Sequence, residues 1–269
     1  MSMARRILAG AVGLVFVLPL WMDLVIALGK RGGAFHIPPT FWPSFHFGAM
    51  TVVLTQTHWL HYVANSVLIT ATTIIGVLTT SLLAGYALAQ LRPRGSGAIF
   101  VLLIAVMMLP QQALIIPQYV LMKDVHLLNS FGGLILPFTA SGAGIFLFRQ
   151  AFMHMPPSYR EAARVDGAST LYYLWRVAIP LLRPAVATTI LVTFVSSWNM
   201  FQWPLIMADT KSVQPIELAL SHYMQAFEAN WRELTSAALL AMLPVFMVYG
   251  FAQRHIIRSV GGGTSGLVE

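Results

Sequence analysis

Long stretches without any charged side chain are the feature that most limits how this chain can fold. No Asp, Glu, Lys or Arg occurs between Arg31 and Arg92, between Arg94 and Lys123, or between Arg183 and Asp209. Each of these gaps is longer than the ~20 residues that cross a bilayer core as an α-helix. Only 9% of the residues are charged, whereas soluble domains carry about 25%. A water-soluble monomer is therefore excluded.

The apolar runs predict an all-α integral membrane protein with about six transmembrane helices. Transmembrane strands would alternate apolar and polar residues, whereas every residue from Ile99 to Leu109 is apolar. Arg5 and Arg6 precede the first run as in a signal peptide, but the length of the run and Asp23 within it favour an uncleaved span. The candidate spans are residues 7–29, 63–90, 98–122, 131–150, 184–208 and 234–253, and their exact boundaries stay open.

The basic side chains predict the orientation of these spans. In a six-span arrangement one side of the membrane holds eleven of the sixteen Lys and Arg residues: Arg5, Arg6, Arg92, Arg94, Arg149, Arg160, Arg164, Arg176, Arg183, Arg254 and Arg258. The side richer in Lys and Arg is the cytoplasmic one, so both termini are predicted to be cytoplasmic. Lys30 and Arg31 fall at the outer end of the first span and oppose this assignment, but they are outnumbered. Topology thus explains the net charge of +7 without a nucleic-acid partner.

Several chemistries lack the residues that they need. The chain has no Cys, which excludes disulfides, thiolate metal sites and thiol catalysis. Gly29 and Lys30 do not form a phosphate-binding loop, since Leu24 stands where its first Gly should be. His58 and His61 have no nearby acid in sequence, so no metal site is predicted. Asp23 is the only acid within a predicted span, and its role stays open between a partner for Lys30 or Arg31 and proton coupling.

Residues 155–183, between the fourth and fifth spans, form the most informative segment. Pro157 and Ser158 precede Glu161 with the spacing of a capping box, which predicts a short helix. Gly167 predicts that this helix ends in a left-handed or tightly packed turn. A second short helix is predicted from Ser169, as its cap, to Ala178, with Pro180 preventing continuation. Two short helices that meet at a Gly favour a docking element over a catalytic site.

This segment resembles the EAA loop of the permease subunits of binding-protein-dependent ABC importers. Glu161-Ala162-Ala163, then Gly167, then Val177-x-Ile179-Pro180 follow the spacing of that motif. The likeness extends over roughly residues 60–258 to Asn65-Ser66, Met108-Leu109-Pro110, FLFRQAF at 146–152, Asp166-Gly167-Ala168-Ser169 and Trp198-Asn199-x-x-x-Trp203-Pro204. Together these segments are similar to the second permease of maltose-type and glycerol-3-phosphate-type uptake systems.

The resemblance implies which partners the chain has and which residues meet them. It implies a heterodimer with a second permease, two copies of an ATP-binding subunit that holds ATP and Mg, an extracytoplasmic solute-binding protein, and a place in the bacterial inner membrane. The chain would itself be no enzyme and carry no cofactor. Residues 155–183, called the coupling loop below, would dock on the ATPase through Glu161, Ala162, Ala163, Asp166, Gly167 and Pro180. The loop from Asp209 to Arg232 would contact the binding protein.

The fifth span carries a candidate substrate pathway. Trp198, Asn199, Gln202 and Trp203 combine indoles with amides, which suit the CH faces and hydroxyl edges of a sugar. The same residues equally suit a polar turn near the outer interface. The solute stays open among disaccharides, monosaccharides, glycerol-3-phosphate and glycerophosphodiesters. A secondary transporter and a membrane-embedded enzyme are the alternative functions.

The resemblance also suggests a domain organisation. Residues 1–62 would comprise the first span and an outer segment rich in Pro and aromatic residues, among them Pro38, Pro39 and Trp42, that lies at the membrane interface. Residues 63–258 would form the permease core, and residues 259–269 a cytoplasmic tail.

Overall fold

The computed structural model describes residues 3–30, 41–225 and 231–261, and its regular structure in these ranges is helical without any strand. This agrees with the all-α prediction. The helices are α1 (Met3–Ala27), α2 (Gly48–Gln56), α3 (Trp59–Tyr86), α4 (Ser96–Met107), α5 (Gln111–Asp124), α6 (Phe131–Ile135), α7 (Gly142–Met153), α8 (Ser158–Val165), α9 (Thr170–Tyr173), α10 (Ile179–Leu181), α11 (Arg183–Trp198), α12 (Gln202–Met207), α13 (Ile216–Gln225) and α14 (Trp231–Gly261). Arg31, Pro38, Pro39 and residues 262–269 of the predicted tail lie outside the described residues.

Three of the predicted spans are single helices that are long and apolar enough to cross a bilayer. Among the described residues these are Arg5–Ala27, Trp59–Leu91 and Trp231–Gly250. The second of them, Trp59–Leu91, ends with a π-helical turn, Ala87–Leu91, that continues α3. Three further candidates are pairs of helices that bend sharply, so the structure has up to six spans if each bent pair crosses once. The predicted number is therefore compatible with the structure.

The candidate spans predicted at 98–122, 131–150 and 184–208 are not single continuous helices. The chain bends by 101° between α4 and α5, by 43° between Phe131–Phe138 and α7, and by 84° between Thr170–Leu181 and α11. At the first bend Pro110 has extended backbone (ψ 130°) and precedes α5 as its N-cap. Proline lacks an N–H and disfavours helical geometry in the residue before it, which explains the break. The fifth predicted span, 184–208, is interrupted within its range, because α11 ends at Trp198 and α12 begins at Gln202.

The chain divides into two compact units, and the larger comprises residues Ser66–Val213 and Met247–Glu269. Its core lies where α3, α7 and the coupling loop meet, around the buried side chains of Tyr86, Phe148, Phe152, Tyr173 and Leu174. Edge-on contacts between aromatic rings connect these elements, with the Tyr86 and Phe152 centroids 5.5 Å apart. This core joins the coupling loop to the membrane helices by rigid packing.

Small residues allow α3 to approach α7 and the turn before it. A methyl group built on Gly85 would lie 2.7 Å from Phe148 Cβ, and one on Gly76 would lie 2.8 Å from Thr139 Cβ. The Thr80 hydroxyl donates to the Thr139 carbonyl at 2.8 Å. Close backbone approach, supported by hydrogen bonds from hydroxyl side chains, is how membrane helices associate.

The smaller unit comprises Met1–Asn65 and Gln214–Phe246. Asn65 Nδ2 donates to the Gln214 carbonyl at 2.9 Å, and the Trp21 indole donates to the Phe41 carbonyl at 2.9 Å. The rings of Trp21 and Trp42 meet edge to face, 5.9 Å apart. The aromatic segment ahead of α2 is thereby fixed to α1.

Candidate functional site

The first helix of the coupling loop, α8, begins without the predicted capping box. Pro157 is the N-cap and Ser158 is already helical, and no side chain caps the helix. The carbonyl of Pro157 instead accepts from the N–H groups of Arg160 and Glu161, at 3.0 and 3.1 Å. Proline has a helical φ built into its ring, so the helix starts one residue early and Ser158 is displaced from the capping position.

The end of α8 is the left-handed turn that Gly167 predicted. Gly167 has a φ of +72°. Its N–H donates to the Arg164 carbonyl at 3.1 Å, and the next N–H, of Ala168, donates to the Ala163 carbonyl at 2.9 Å. This pair of bonds is a Schellman motif, which satisfies the last carbonyls of a helix. A methyl group on Gly167 would meet nothing within 4 Å, so the backbone angle, and not crowding within the chain, requires glycine.

Two inward-facing residues hold α8 in place. Ala163 is only 8% exposed and belongs to the core around Tyr86, so it anchors the helix to that core and is not on its outer surface. Arg160 donates from Nη1 to the Gln90 carbonyl at 3.0 Å, and its guanidinium lies 5.7 Å from the centroid of the Tyr86 ring. Arg160 thus fastens α8 to the π-helical turn at the end of α3.

The outward face of α8 is available for contact with another protein. Glu161, Ala162 and Asp166 are exposed, and Val165 is 87% exposed. Within the ranges described, the carboxylates of Glu161 and Asp166 have neither a hydrogen bond nor an ion pair. Asp166 is therefore not paired there with Arg164 or Arg160, although both are close to it in sequence. An apolar tip beside two open carboxylates suits docking on a basic surface.

The second half of the coupling loop begins as predicted and ends differently. The Ser169 side chain caps α9 by accepting from the Tyr172 N–H at 3.2 Å. Pro180 does not stop the helix, because a π-helical turn at Leu174–Ala178 leads directly into α10, which contains Pro180. A π-turn widens the helix locally, which accommodates a residue that cannot donate to the ladder. The chain turns instead at Leu182, where ψ is +20°.

Replacement of Gly167 tests whether backbone geometry or an external contact requires glycine. We expect Gly167→Val to destabilise the end of α8 by about 1–2 kcal/mol, because a Cβ is strained in left-handed backbone. Gly167→Asn should retain most of the stability, since Asn tolerates this conformation. The melting temperature of the purified chain and its co-purification with an ATPase subunit separate the two causes. If Asn melts normally yet abolishes co-purification, the partner packs closely on this turn.

An open cleft of about 880 Å³ lies within the larger unit. It is lined by parts of α3, α4, α5, α11 and α12 and by the turn before α7. The breaks at Met108–Pro110, Thr139–Ser141 and Asn199–Phe201 all border it. Irregular backbone at membrane depth is tolerated where it lines a cavity, and broken helices commonly form transport sites.

The cleft brings together three of the four predicted pathway residues. Asn199, Gln202 and Trp203 line it, but Trp198 does not. Trp198 is 2% exposed, and its ring stacks on Phe194 with centroids 5.5 Å apart. The Trp203 indole donates to the Gly133 carbonyl at 3.0 Å, so its N–H is already used within the protein. The two amides are exposed and are therefore the groups free to meet a solute.

Sequence reasoning missed three glutamines on α5. Gln111, Gln112 and Gln118 line the same cleft as Asn199 and Gln202. The signal was present in the sequence, because Pro110 interrupts an apolar run and two amides follow it directly. A proline-interrupted hydrophobic segment is a pointer to a transport site.

The outer segment predicted from Asp209 to Arg232 is not uniformly exposed. Asp209, Thr210 and Lys211 are exposed, whereas Ile216, Leu218 and Ala219 of α13 are buried. Glu217, on the same helix, is half-buried, and this burial raises the pKa of its carboxyl above the ordinary value. Residues 209–212 are thus the better candidates for a contact with a water-soluble partner. Glu228, near the end of the segment, lies outside the described residues.

Metal ligands are not gathered in the described part of the chain. No three His, Asp or Glu side chains in residues 3–30, 41–225 and 231–261 lie close enough to hold an ion. His58 and His61 flank the start of α3, where the His61 ring lies edge-on to Tyr62 with centroids 6.3 Å apart.

One protein family matches most of the chain. The family described as "Binding-protein-dependent transport system inner membrane component" matches residues 76–262. This range includes the whole coupling loop and all of the cleft lining except Thr73.

Individual relatives share this architecture at moderate identity. The arabinooligosaccharides transport system permease protein AraQ of Bacillus subtilis is 34% identical over 200 residues, which is 74% of this chain and 71% of AraQ. The sn-glycerol-3-phosphate transport system permease protein UgpE of Pectobacterium atrosepticum is 29% identical over 264 residues, covering 93% and 92% of the two chains. A chain in the crystal structure of a bacterial ABC transporter involved in the import of the acidic polysaccharide alginate has a TM-score of 0.82 at 25% identity, over 93% of this chain and 94% of that one. The fold implied by the resemblance is confirmed.

Proposed function

Because the chain belongs to the family of binding-protein-dependent transport system inner membrane components, we propose that it is the permease subunit of an ABC importer for a sugar or sugar-like solute. Membership makes it a translocation component of the inner membrane and not an enzyme. The membrane-embedded enzyme left open by the sequence is thereby discarded. The permeases AraQ and UgpE carry names of carbohydrate and glycerol-3-phosphate systems, which supports a solute of this type.

The observation that carries the proposal is the cleft bordered by three helix breaks. Its polar groups are amides and hydroxyls, and Phe138, Phe201 and Trp203 supply aromatic surface beside them. Amides bond sugar hydroxyls in both directions, and aromatic faces contact sugar CH groups. The five amide side chains of the lining, Gln111, Gln112, Gln118, Asn199 and Gln202, would guide such a solute through this half of the importer.

The exposed carboxylates of the coupling loop support the proposal that this chain docks on a separate ATPase subunit. Glu161 and Asp166 would meet a basic surface on an ATPase that holds ATP and Mg, with Ala162 and Val165 in contact between them. Gly167 shapes the end of α8, while Ala163 and Arg160 connect that helix to α3. Pro180 continues the second helix towards α11. A rigid, tethered helix of this kind transmits movement by shifting between two discrete positions.

The remaining partners follow from the same proposal. The distribution of Arg residues supports a cytoplasmic location of both termini and of the coupling loop, so the ATPase, in two copies, would act from that side. A second permease would complete the channel as a heterodimer. A solute-binding protein would approach the opposite side, near residues 209–212.

The double substitution Asn199→Leu with Gln202→Leu tests the pathway. We expect solute-stimulated ATP hydrolysis by the purified importer to fall at least about tenfold, because two hydrogen-bonding groups worth roughly 1 kcal/mol each are lost from the cleft. Basal hydrolysis should persist. Gln56→Leu, at an exposed amide of α2, is the matched control. Unaltered stimulation in the double variant would show that these amides are structural.

A further inference from the structure

We propose that the solute that passes this chain is electrically neutral, an unmodified mono- or oligosaccharide, and neither a phosphate ester nor a sugar acid. This inference rests on the proposed function, because it names the class of solute for the same cleft. The names of the relatives mention both neutral and anionic solutes: arabinooligosaccharides, sn-glycerol-3-phosphate and the acidic polysaccharide alginate. The inference chooses the neutral class for this chain.

The first argument is the charge of the cleft lining. Five amide side chains and five hydroxyl side chains contribute to it, but the lining contains no Asp, Glu, Lys, Arg or His. A phosphate monoester carries about −1.5 to −2 charges at neutral pH. An anion that enters the cleft from water loses its hydration. Without a cation beside it, the neutral amides and hydroxyls of the lining recover only a small part of that free energy. A polyol needs no such cation, because each of its hydroxyls is satisfied by one amide or hydroxyl.

The second argument is that two buried polar atoms at the cleft lack a partner in the described chain. These atoms are Thr73 Oγ1 and Gln118 Oε1, and both residues line the cleft. A buried polar atom without a hydrogen bond costs about 1–3 kcal/mol, so each of the two favours a bound group that bonds to it. A carbonyl oxygen only accepts hydrogen bonds. Gln118 Oε1 therefore suits the hydroxyl proton of a sugar, whereas an ionised phosphate or carboxylate oxygen has no proton to donate to it.

Two basic side chains on elements that form the cleft, Lys123 and Arg149, do not supply the missing charge. Lys123, beyond Gln118 on α5, lines a different hollow together with Asp124 and His126. Arg149, on α7, is stacked over the Phe100 ring at 3.7 Å from its centroid. Neither contributes to the cleft lining.

A comparison of solutes on the complete importer tests this inference. The transporter is purified with its second permease, ATPase and binding protein and reconstituted in proteoliposomes. ATP-driven uptake is then measured for labelled arabinotriose, maltotriose and raffinose and for sn-glycerol-3-phosphate and trigalacturonate. We expect at least one neutral sugar to be taken up at least about tenfold faster than either anion, a ratio that corresponds to about 1.4 kcal/mol. Faster uptake of an anion would overturn the inference and leave the proposed function intact. ATP-independent uptake, or uptake by this chain alone, would instead overturn the proposed function.

Charged variants at Gln118 test the same inference within the cleft. With a neutral solute, Gln118→Glu and Gln118→Lys should both reduce uptake, and their effects should agree within about threefold, because either charge only disturbs hydration of the cleft. With an anionic solute the two would diverge, since lysine would attract it and glutamate would repel it. Clearly faster uptake by Gln118→Lys than by Gln118→Glu would contradict a neutral solute. Co-purification of all four subunits is the control for assembly, and the wild-type comparison decides the question if a variant fails to assemble.

Discussion

Glu161→Lys is expected to abolish solute uptake while leaving the importer assembled in the membrane and able to hydrolyse ATP. Glu161 is exposed on α8, and it has no partner among the described residues. If it docks on a basic group of the ATPase, lysine places two like charges together, which costs several kcal/mol. The number of solute molecules transported per ATP hydrolysed should fall at least about tenfold. Uptake and phosphate release by the same proteoliposomes give this ratio.

Two further variants separate charge from position. Glu161→Gln keeps the shape and removes the charge, so it should retain more coupling than lysine does. Asp124→Lys reverses an exposed carboxylate at the end of α5, away from the coupling loop in sequence, and should leave coupling unchanged. A normal ratio of solute to ATP in Glu161→Lys would remove Glu161 from the docking surface.

Gly85→Val is expected to prevent stable folding of the larger unit. The added Cβ would lie 2.7 Å from Phe148 Cβ and 2.9 Å from the backbone N of Arg149. Backbone cannot move aside as the end of a long side chain can, and Phe148 is only 1% exposed. Overpacking of this kind costs about 1–3 kcal/mol, or more where nothing yields. The yield and melting temperature of the detergent-purified chain should both drop.

The matched control for Gly85 lies in the same protein. Gly97, near the start of α4, has nothing within 4 Å of an added Cβ. Gly97→Val therefore adds the same side chain without a clash and should melt like the unmodified chain. Equal melting of the two variants would contradict the close α3–α7 contact.

The coupling loop shows which structural features could be predicted from short sequence motifs. Gly167 predicted a left-handed helix end and Ser169 predicted a cap, and both are present, because each depends on a few neighbouring atoms. Ser158 failed as a cap because Pro157, one residue earlier, already had helical geometry. Pro180 did not end the helix, because the π-helical turn of five residues just before it widens the helix and accommodates a residue without an N–H. The inward orientation of Ala163 also needed the structure, since it depends on what packs against α8.

Only some of the polar residues that line the cleft could be predicted from the sequence. Asn199 and Gln202 were recognised because a run of polar and aromatic residues stands out in an apolar span. Gln111, Gln112 and Gln118 were overlooked because each looks like an isolated amide on another helix. Only the tertiary structure, with its bend between α4 and α5 and its break between α11 and α12, brings the two sets to one cleft. Trp198 was misplaced because its direction is set by stacking on Phe194.

The sequence by itself determined that the chain is helical and embedded in a membrane, and it indicated the transporter family. These conclusions depend on hydrophobicity summed over some twenty residues and on a spaced motif. Both are properties of residues that lie close together in the sequence, so they need no knowledge of tertiary contacts. Only the tertiary structure decided where helices break, which amides share the cleft, and that no charged side chain lines it. Those properties depend on contacts between residues far apart in sequence, because packing determines the direction of each helix after a proline and the face that it turns to the cleft.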